Sequence, residues 1–266
     1  MTLISAMRFN SLEGAMVADE MISDDNNAYI TSKKLLPLRN KKNQTLIIGA
    51  TGDDEVIRRT DYLLKQSNFV KRNIPEAVNA TLKKVKKEIN KEKINGKFLN
   101  ATYLGLYYNG KEISLNVFST DKKDIELFIM DYKTLGGGAI SAEQEIHYFF
   151  ESLTREQREE INPAEGLMTL LCGYARARIR SIGVGGIPLI YAVNQTKIFN
   201  PSEDQSKLAE EIAMGVKKNF IPKKFGIEAI ENLIYHEGDS RMIEQEIKKI
   251  TDWDKFDRYL RGYRGY

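Results

Sequence analysis

Two short stretches decide the fold: Thr2-Leu3-Ile4-Ser5-Ala6 and Gly14-Ala15-Met16-Val17-Ala18-Asp19. Between them lies a polar interruption with Asn10, Ser11 and Glu13. Apolar runs of strand length around such a break predict a β-hairpin, with Gly14 in or near the turn and Asp19 delivered at the end of the second strand.

Working outward, Tyr29 to Leu38 reads as an extended segment containing Lys33 and Lys34, and Thr45 to Ile48 as a strand stopped by Gly49. Gly52, Asp53 and Asp54 open a helix, because acids suit a helix N-terminus. Two helices are predicted over 53–68 and 75–94; Val78, Leu82, Val85 and Ile89 recur at helical spacing in the second. Strands follow over 98–108, 112–119 and 125–132, the first two joined by Asn109-Gly110, a strong hairpin signal. Gly136, Gly137 and Gly138 precede a helix over 141–153, and Pro163 starts another over 163–179. Ile187 to Val193 is a last strand. Strands and helices in separate blocks exclude a simple alternating βαβ chain and predict an antiparallel sheet sandwich with helices in layers.

The chain has 266 residues, enough for one large domain or a domain of about 200 residues with an extension. The division read here is 1–200 for the sandwich and 201–266 for a helical extension, with helices over 208–216, 227–235 and 242–250 and a terminal Arg-Gly-Tyr-Arg-Gly-Tyr. With 42% hydrophobic and 29% charged residues, composition argues against both disorder and membrane residence. No signal peptide or membrane-length apolar run is present, so the expected location is the cytoplasm.

One cysteine, Cys172, and two histidines, His147 and His236, exclude a disulfide within the chain and offer no zinc-like spacing. Metal and cofactor are therefore not expected. Both histidines read as structural or surface residues, so any catalysis runs without them. The net charge of +3 makes nucleic acid a disfavoured partner. Seven Lys against two Glu between Lys83 and Lys97 read as the solvated face of an amphipathic helix. The lysine run and the basic aromatic tail are what a nucleic-acid reading would rest on.

Removal of Met1 would leave Thr2 with a hydroxyl nucleophile and, in its α-amine, a base of reference pKa about 7.7 to 8.0. With its neighbours, the chain resembles proteasome β subunits and the bacterial ATP-dependent threonine peptidase of the same superfamily. The matching segments are the two strands quoted above, Ser32-Lys33-Lys34-Leu35-Leu36, Leu46-Ile47-Ile48-Gly49-Ala50-Thr51-Gly52-Asp53, Gly136 to Gly138, Asn162-Pro163-Ala164-Glu165-Gly166-Leu167, and 180–193, and the resemblance covers residues 2–195. The resemblance implies a four-layer αββα sandwich of the N-terminal-nucleophile hydrolase type and a threonine-type peptidase or amidase. It assigns Thr2 as nucleophile, Asp19 and Lys34 as its charged partners, with Lys33 as fallback lysine, and Gly49 as backbone donor to the oxyanion. An acyl-enzyme could pass to water or to an amine, so hydrolysis and protein ligation share the first half-reaction. A peptide or protein substrate, a homo-oligomer and an ATPase partner are implied as well.

The family pattern also has a serine where this chain has Gly137, and an Asp and a Ser where it has Ser181 and Val184. Those groups help orient the terminal amine and the lysine. The departures keep open a noncatalytic assembly or binding subunit, with Gly137 and Ser181 as supporting positions in the catalytic alternative.

Overall fold

Alternation along the first hairpin sets the layers. In β1 (Ile4–Arg8) and β2 (Gly14–Ala18), Met7, Ala15 and Val17 face one apolar cluster, while Ile4, Ala6, Met16 and Ala18 face another. Strands whose successive side chains point to opposite faces, with both faces apolar, belong in the interior of a sandwich. The computed structural model describes residues 2–23, 28–30, 34–67, 73–91, 100–120, 126–128 and 131–264.

After the small hairpin β3 (Met21–Ser23) and β4 (Ala28–Ile30) come β5 (Leu35–Arg39) and β6 (Thr45–Gly52). Helices α1 (Asp54–Gln66) and α2 (Ile74–Lys91) follow, then β7 (Ala101–Tyr108), β8 (Ile113–Ser119), β9 (Glu126–Phe128) and β10 (Tyr132–Leu135). Next are α3 (Ala139–Glu151), α4 (Arg155–Glu159), α5 (Pro163–Arg180), β11 (Leu189–Val193) and β12 (Ile198–Phe199). The chain closes with α6 (Glu203–Lys217), α7 (Lys223–Tyr235), α8 (Ser240–Ile250) and α9 (Trp253–Arg264).

Two five-stranded antiparallel sheets result, in the orders β10-β1-β2-β11-β12 and β5-β6-β7-β8-β9. Ile4, Ala6, Met16, Ile47, Leu104 and Leu106 fill the space between them. Helices α1 and α2 cover the second sheet through Val56, Leu64, Val78, Leu82 and Val85. Helices α3 and α5 cover the first through Ala142, Ile146, Leu167, Leu170 and Tyr174. The architecture is the αββα sandwich with a helical C-terminal extension. Local signals place its helices: Asp53 caps α1 by accepting from Glu55 N–H at 3.0 Å, and Asn162 caps α5 ahead of Pro163.

Four local expectations are corrected. Gly49 does not stop its strand: β6 continues to Gly52, paired with β7 along its length, because a glycine flanked by two partner strands keeps its ladder. The expected strand over 125–132 is split, with Glu126–Phe128 pairing β8 and Tyr132 pairing Met7 of the other sheet. Likewise Tyr29 and Leu38 fall in strands of different sheets. The C-terminal region holds four described helices, not three: α9 is added, its last turn is the start of the basic tail, and its Phe256 and Leu260 join the α5 cluster. Expected positions 68, 92–94, 98–99, 125 and 129–130 lie outside the described residues.

Helix α6 and its successors share that cluster with α5 through Leu208, Ile212, Ile230, Leu233 and Ile247. On the opposite side of the sandwich, burial pushes the Asp61 carboxyl of α1 from 3.8 up to about 6, with Lys65 opposing. The folded protein thus binds this proton more tightly than the unfolded chain, so stability falls as pH rises from about 4 to about 6 and is level above. Asp61→Asn is expected to remove that slope and raise the urea midpoint at pH 7; a variant with the wild-type slope would refute the assignment.

Candidate active site

The end of the first hairpin is closed by side chains from both sheets. Asp19 directly follows β2 and Lys34 directly precedes β5, so their ion pair bridges the two sheets. Lys34 Nζ donates to Asp19 Oδ1 at 2.7 Å, and the side chains are 5% and 0% exposed. The same oxygen accepts the Leu3 N–H at 2.7 Å, and Asp19 N–H donates to Leu3 O at 3.1 Å. The carboxylate therefore holds both the lysine and the peptide unit that follows Thr2.

Burial dominates the electrostatics of the pair. It pushes the Asp19 carboxyl up, opposed by Lys34 and by the Leu3 N–H, and pushes the Lys34 ammonium down, opposed by Asp19 and then Glu20. Asp19 Oδ2 is buried and accepts no hydrogen bond among the described residues. A lysine held as a cation yet drawn toward neutrality can stabilise a neighbouring alkoxide or exchange a proton with an amine.

Glycines shape the walls. Gly136 has φ of +97°, and a Cβ there would lie 1.9 Å from Thr2 O, so only glycine lets the β10–α3 turn pass Thr2. A Cβ on Gly138 would meet Val184 Cγ2 at 3.0 Å and Leu3 Cβ at 3.4 Å. The turn that includes Gly137 thus touches both the start of the chain and the 181–186 loop. Gly49 lies in mid-β6 opposite Leu35 and Leu104, where a Cβ would stand 3.1 Å from Ile4 Cδ1. Ile4, the residue it faces across the sandwich, is two residues from Thr2. Ser181 caps the C-terminal end of α5, its N–H donating to Ala177 O, and its carbonyl accepts from Val184 N–H at 3.3 Å. Lys33 lies outside the described residues.

Sequence reasoning missed Glu20, which is 5% exposed and accepts the Ile187 N–H at 3.0 Å. Its only signal was its place beside Asp19. It also missed the attachment of the extension. Glu210 of α6 is 1% exposed, accepts from Arg178 of α5 at 3.3 Å and from the Tyr263 hydroxyl of α9, and Arg178 lies 5.3 Å from the Tyr263 ring centre. These contacts anchor the α5 end that leads into the 181–186 loop. The sequence separation between Arg178, Glu210 and Tyr263 hides such a cluster. A wide groove lined by Ser11, Glu13, Glu159, Asn162 and Gln195 sits at the opposite, turn end of the first hairpin.

No family model and no curated protein matches the sequence. Solved structures do match, and the fold they share is proteasome-like. The Anbu (ancestral beta-subunit) protein from Yersinia bercovieri aligns with a TM-score of 0.64 at 15% identity, over 82% of this chain and 92% of that one. The subunit of the helical Anbu assembly from Pseudomonas aeruginosa gives 0.61 at 11% identity, over 72% and 81%. Anbu from Hyphomicrobium sp. strain MC1 gives 0.59 at 11%, over 83% and 98%. These neighbours correct the resemblance drawn above: they are ancestral beta-subunits, a branch distinct from proteasome β subunits and from the ATP-dependent threonine peptidase. At such identities the likeness concerns the fold. No helix among the described residues is long and apolar enough to cross a membrane.

Gly136→Ala tests how the turn constrains Thr2. It is expected to cost about 2 kcal/mol in chemical denaturation, since the added Cβ meets backbone and the positive φ is strained. Wild-type stability in that variant would show that the turn does not press on Thr2.

Proposed function

We propose that this chain is a proteasome-like subunit that cleaves or transfers peptide or other amide bonds through Thr2 once Met1 is removed. The observation that carries this reading is the buried Asp19–Lys34 pair, tied through Leu3 N–H to the residue after Thr2. In this mechanism the α-amine of Thr2 accepts the hydroxyl proton as Oγ1 attacks the substrate carbonyl carbon. Lys34, held as a cation by Asp19, stabilises the developing alkoxide. The resemblance assigns the oxyanion donor to Gly49, a role whose loss costs roughly 10²- to 10³-fold where such donors have been removed. Since Gly49 sits in register between Leu35 and Leu104, its N–H would have to be shared with or released from the sheet to serve it. The amine then returns its proton to the leaving nitrogen, leaving an ester on Thr2. Water or an acceptor amine resolves that ester, giving hydrolysis or ligation.

Residues 1–200 would carry this chemistry, with 201–266 as the extension. The helical assembly named for the Pseudomonas aeruginosa neighbour supports self-association of this chain too. A cytoplasmic location, a protein or peptide substrate and an ATPase partner belong to the same reading.

A specific observation favours a second one: Gly137 and Val184 have no hydroxyl and Ser181 no carboxylate where the resemblance implied such groups. On that basis the chain would be an assembly or binding subunit that keeps the sandwich without the chemistry.

Intact and N-terminal mass analysis with a threonine-directed β-lactone separates the two. The catalytic reading expects loss of Met1, one adduct on Thr2 of the wild type, and none on Thr2→Ala. Retained Met1, or a processed protein that never labels, would favour the noncatalytic subunit.

A further inference from the structure

We infer that Tyr174 is a positioning residue of this site: from the helical layer its hydroxyl fixes the 183–186 loop, and through that loop the end of the strand that carries Asp19. The inference rests on the Thr2 reading above. It adds a fastening for a loop that has no carboxylate at Ser181 and no hydroxyl at Val184.

The loop needs holding. Gly183, Gly185 and Gly186 give it little intrinsic stiffness, and Gly183 and Gly186 take positive φ, +81° and +85°. Tyr174 Oη donates to Gly186 O at 2.7 Å. That bond is shorter than those from Val184 N–H to Ser181 O, at 3.3 Å, and from Glu20 N–H to Gly185 O, at 3.2 Å. Its donor is itself firmly placed. Tyr174 is 0% exposed on α5 and shares an apolar cluster with Leu3, Val17, Val184 and Ile190. A hydroxyl carried by a packed helix is located more precisely than one carried by a loop. Burial also holds the phenol well above its ordinary range, so it stays a neutral donor.

Two lines of contact run from this bond to the site. Along the first, Gly186 lies against Glu20, where an added Cβ would come within 3.0 Å of Glu20 Cβ, and Ile187 N–H donates to Glu20 Oε2 at 3.0 Å. Glu20 is the residue after Asp19. Its bonds to Gly185 and Ile187 therefore fix the strand end from which the Asp19 carboxylate reaches Leu3 N–H and Lys34 Nζ. Along the second, Val184 packs at Gly138, which in turn faces Leu3 Cβ. Both lines end beside Thr2 or its charged partner. A phenylalanine would fill the same apolar space, so packing alone does not call for the hydroxyl. Its removal leaves Gly186 O without that donor, and a carbonyl in this state is driven to find water or another partner. The loop then moves, and the Asp19 strand end moves with it.

The test is Tyr174→Phe in the full chain, which keeps the ring in the core and removes the hydroxyl. Residue-resolved amide hydrogen exchange by NMR is expected to show the Leu3, Glu20 and Ile187 amides exchanging about tenfold faster than in the wild type. Ile47 and Leu104, in the other sheet, should keep their wild-type rates. In the Met1-processed protein the maximal rate of β-lactone labelling of Thr2 should fall about tenfold, with its half-saturating concentration and pH profile unchanged. Equal acceleration at all five amides would mark Tyr174 as a core residue alone and overturn the inference. Unchanged exchange at Leu3, Glu20 and Ile187 would overturn it too, as would labelling of Tyr174→Phe at the wild-type rate. A wild type that never labels, with the exchange pattern as expected, would instead sink the Thr2 chemistry and leave the fastening of the Asp19 strand end standing.

Discussion

The buried ion pair between Lys34 and Asp19 is the interaction on which the rest of this end of the molecule depends. Asp19 terminates a strand of one sheet and Lys34 begins a strand of the other, so one 2.7 Å contact closes the sandwich at its edge. Removing one partner from a buried pair leaves an uncompensated charge, typically at about 3 to 5 kcal/mol. A hydrophobic pair could have joined the sheets at less electrostatic cost. The retention of two charges here, with the Leu3 N–H on the same carboxylate oxygen, is what gives the closure a chemical meaning.

How far the sequence could be read depended on how local each determinant was. The hairpin, the Asp53 and Asn162 caps and the Asn109-Gly110 turn are fixed by residues a few positions apart, and they were legible. Thr2, Asp19 and Lys34 were chosen by resemblance, and the structure brings Asp19 and Lys34 into contact beside Leu3. Strand ends were less legible: Gly49 looked like a stop because its intrinsic preference is against strands, but two flanking partners outweigh that preference. Helix α9 was not legible because its apolar positions, Phe256 and Leu260, make sense only against the distant helix α5. Glu20 was invisible for the same reason, since its partners lie in the 185–187 loop.

The extension changes how the sandwich is held. Glu210, Arg178 and Tyr263 form a polar knot between α5, α6 and α9, surrounded by the apolar cluster that includes Leu208, Ile212 and Phe256. Arg178 lies three residues before Ser181 and the loop that wraps Glu20. The proteasome-like neighbours share the sandwich.

The most direct measurement is a crystal structure of the processed protein carrying a β-lactone adduct. The expected result is an ester on Thr2 Oγ1 with its carbonyl oxygen within hydrogen-bond distance of Gly49 N–H and Lys34 still paired with Asp19. An adduct on another residue, or a Thr2 ester whose oxygen points away from Gly49, would contradict the central claim.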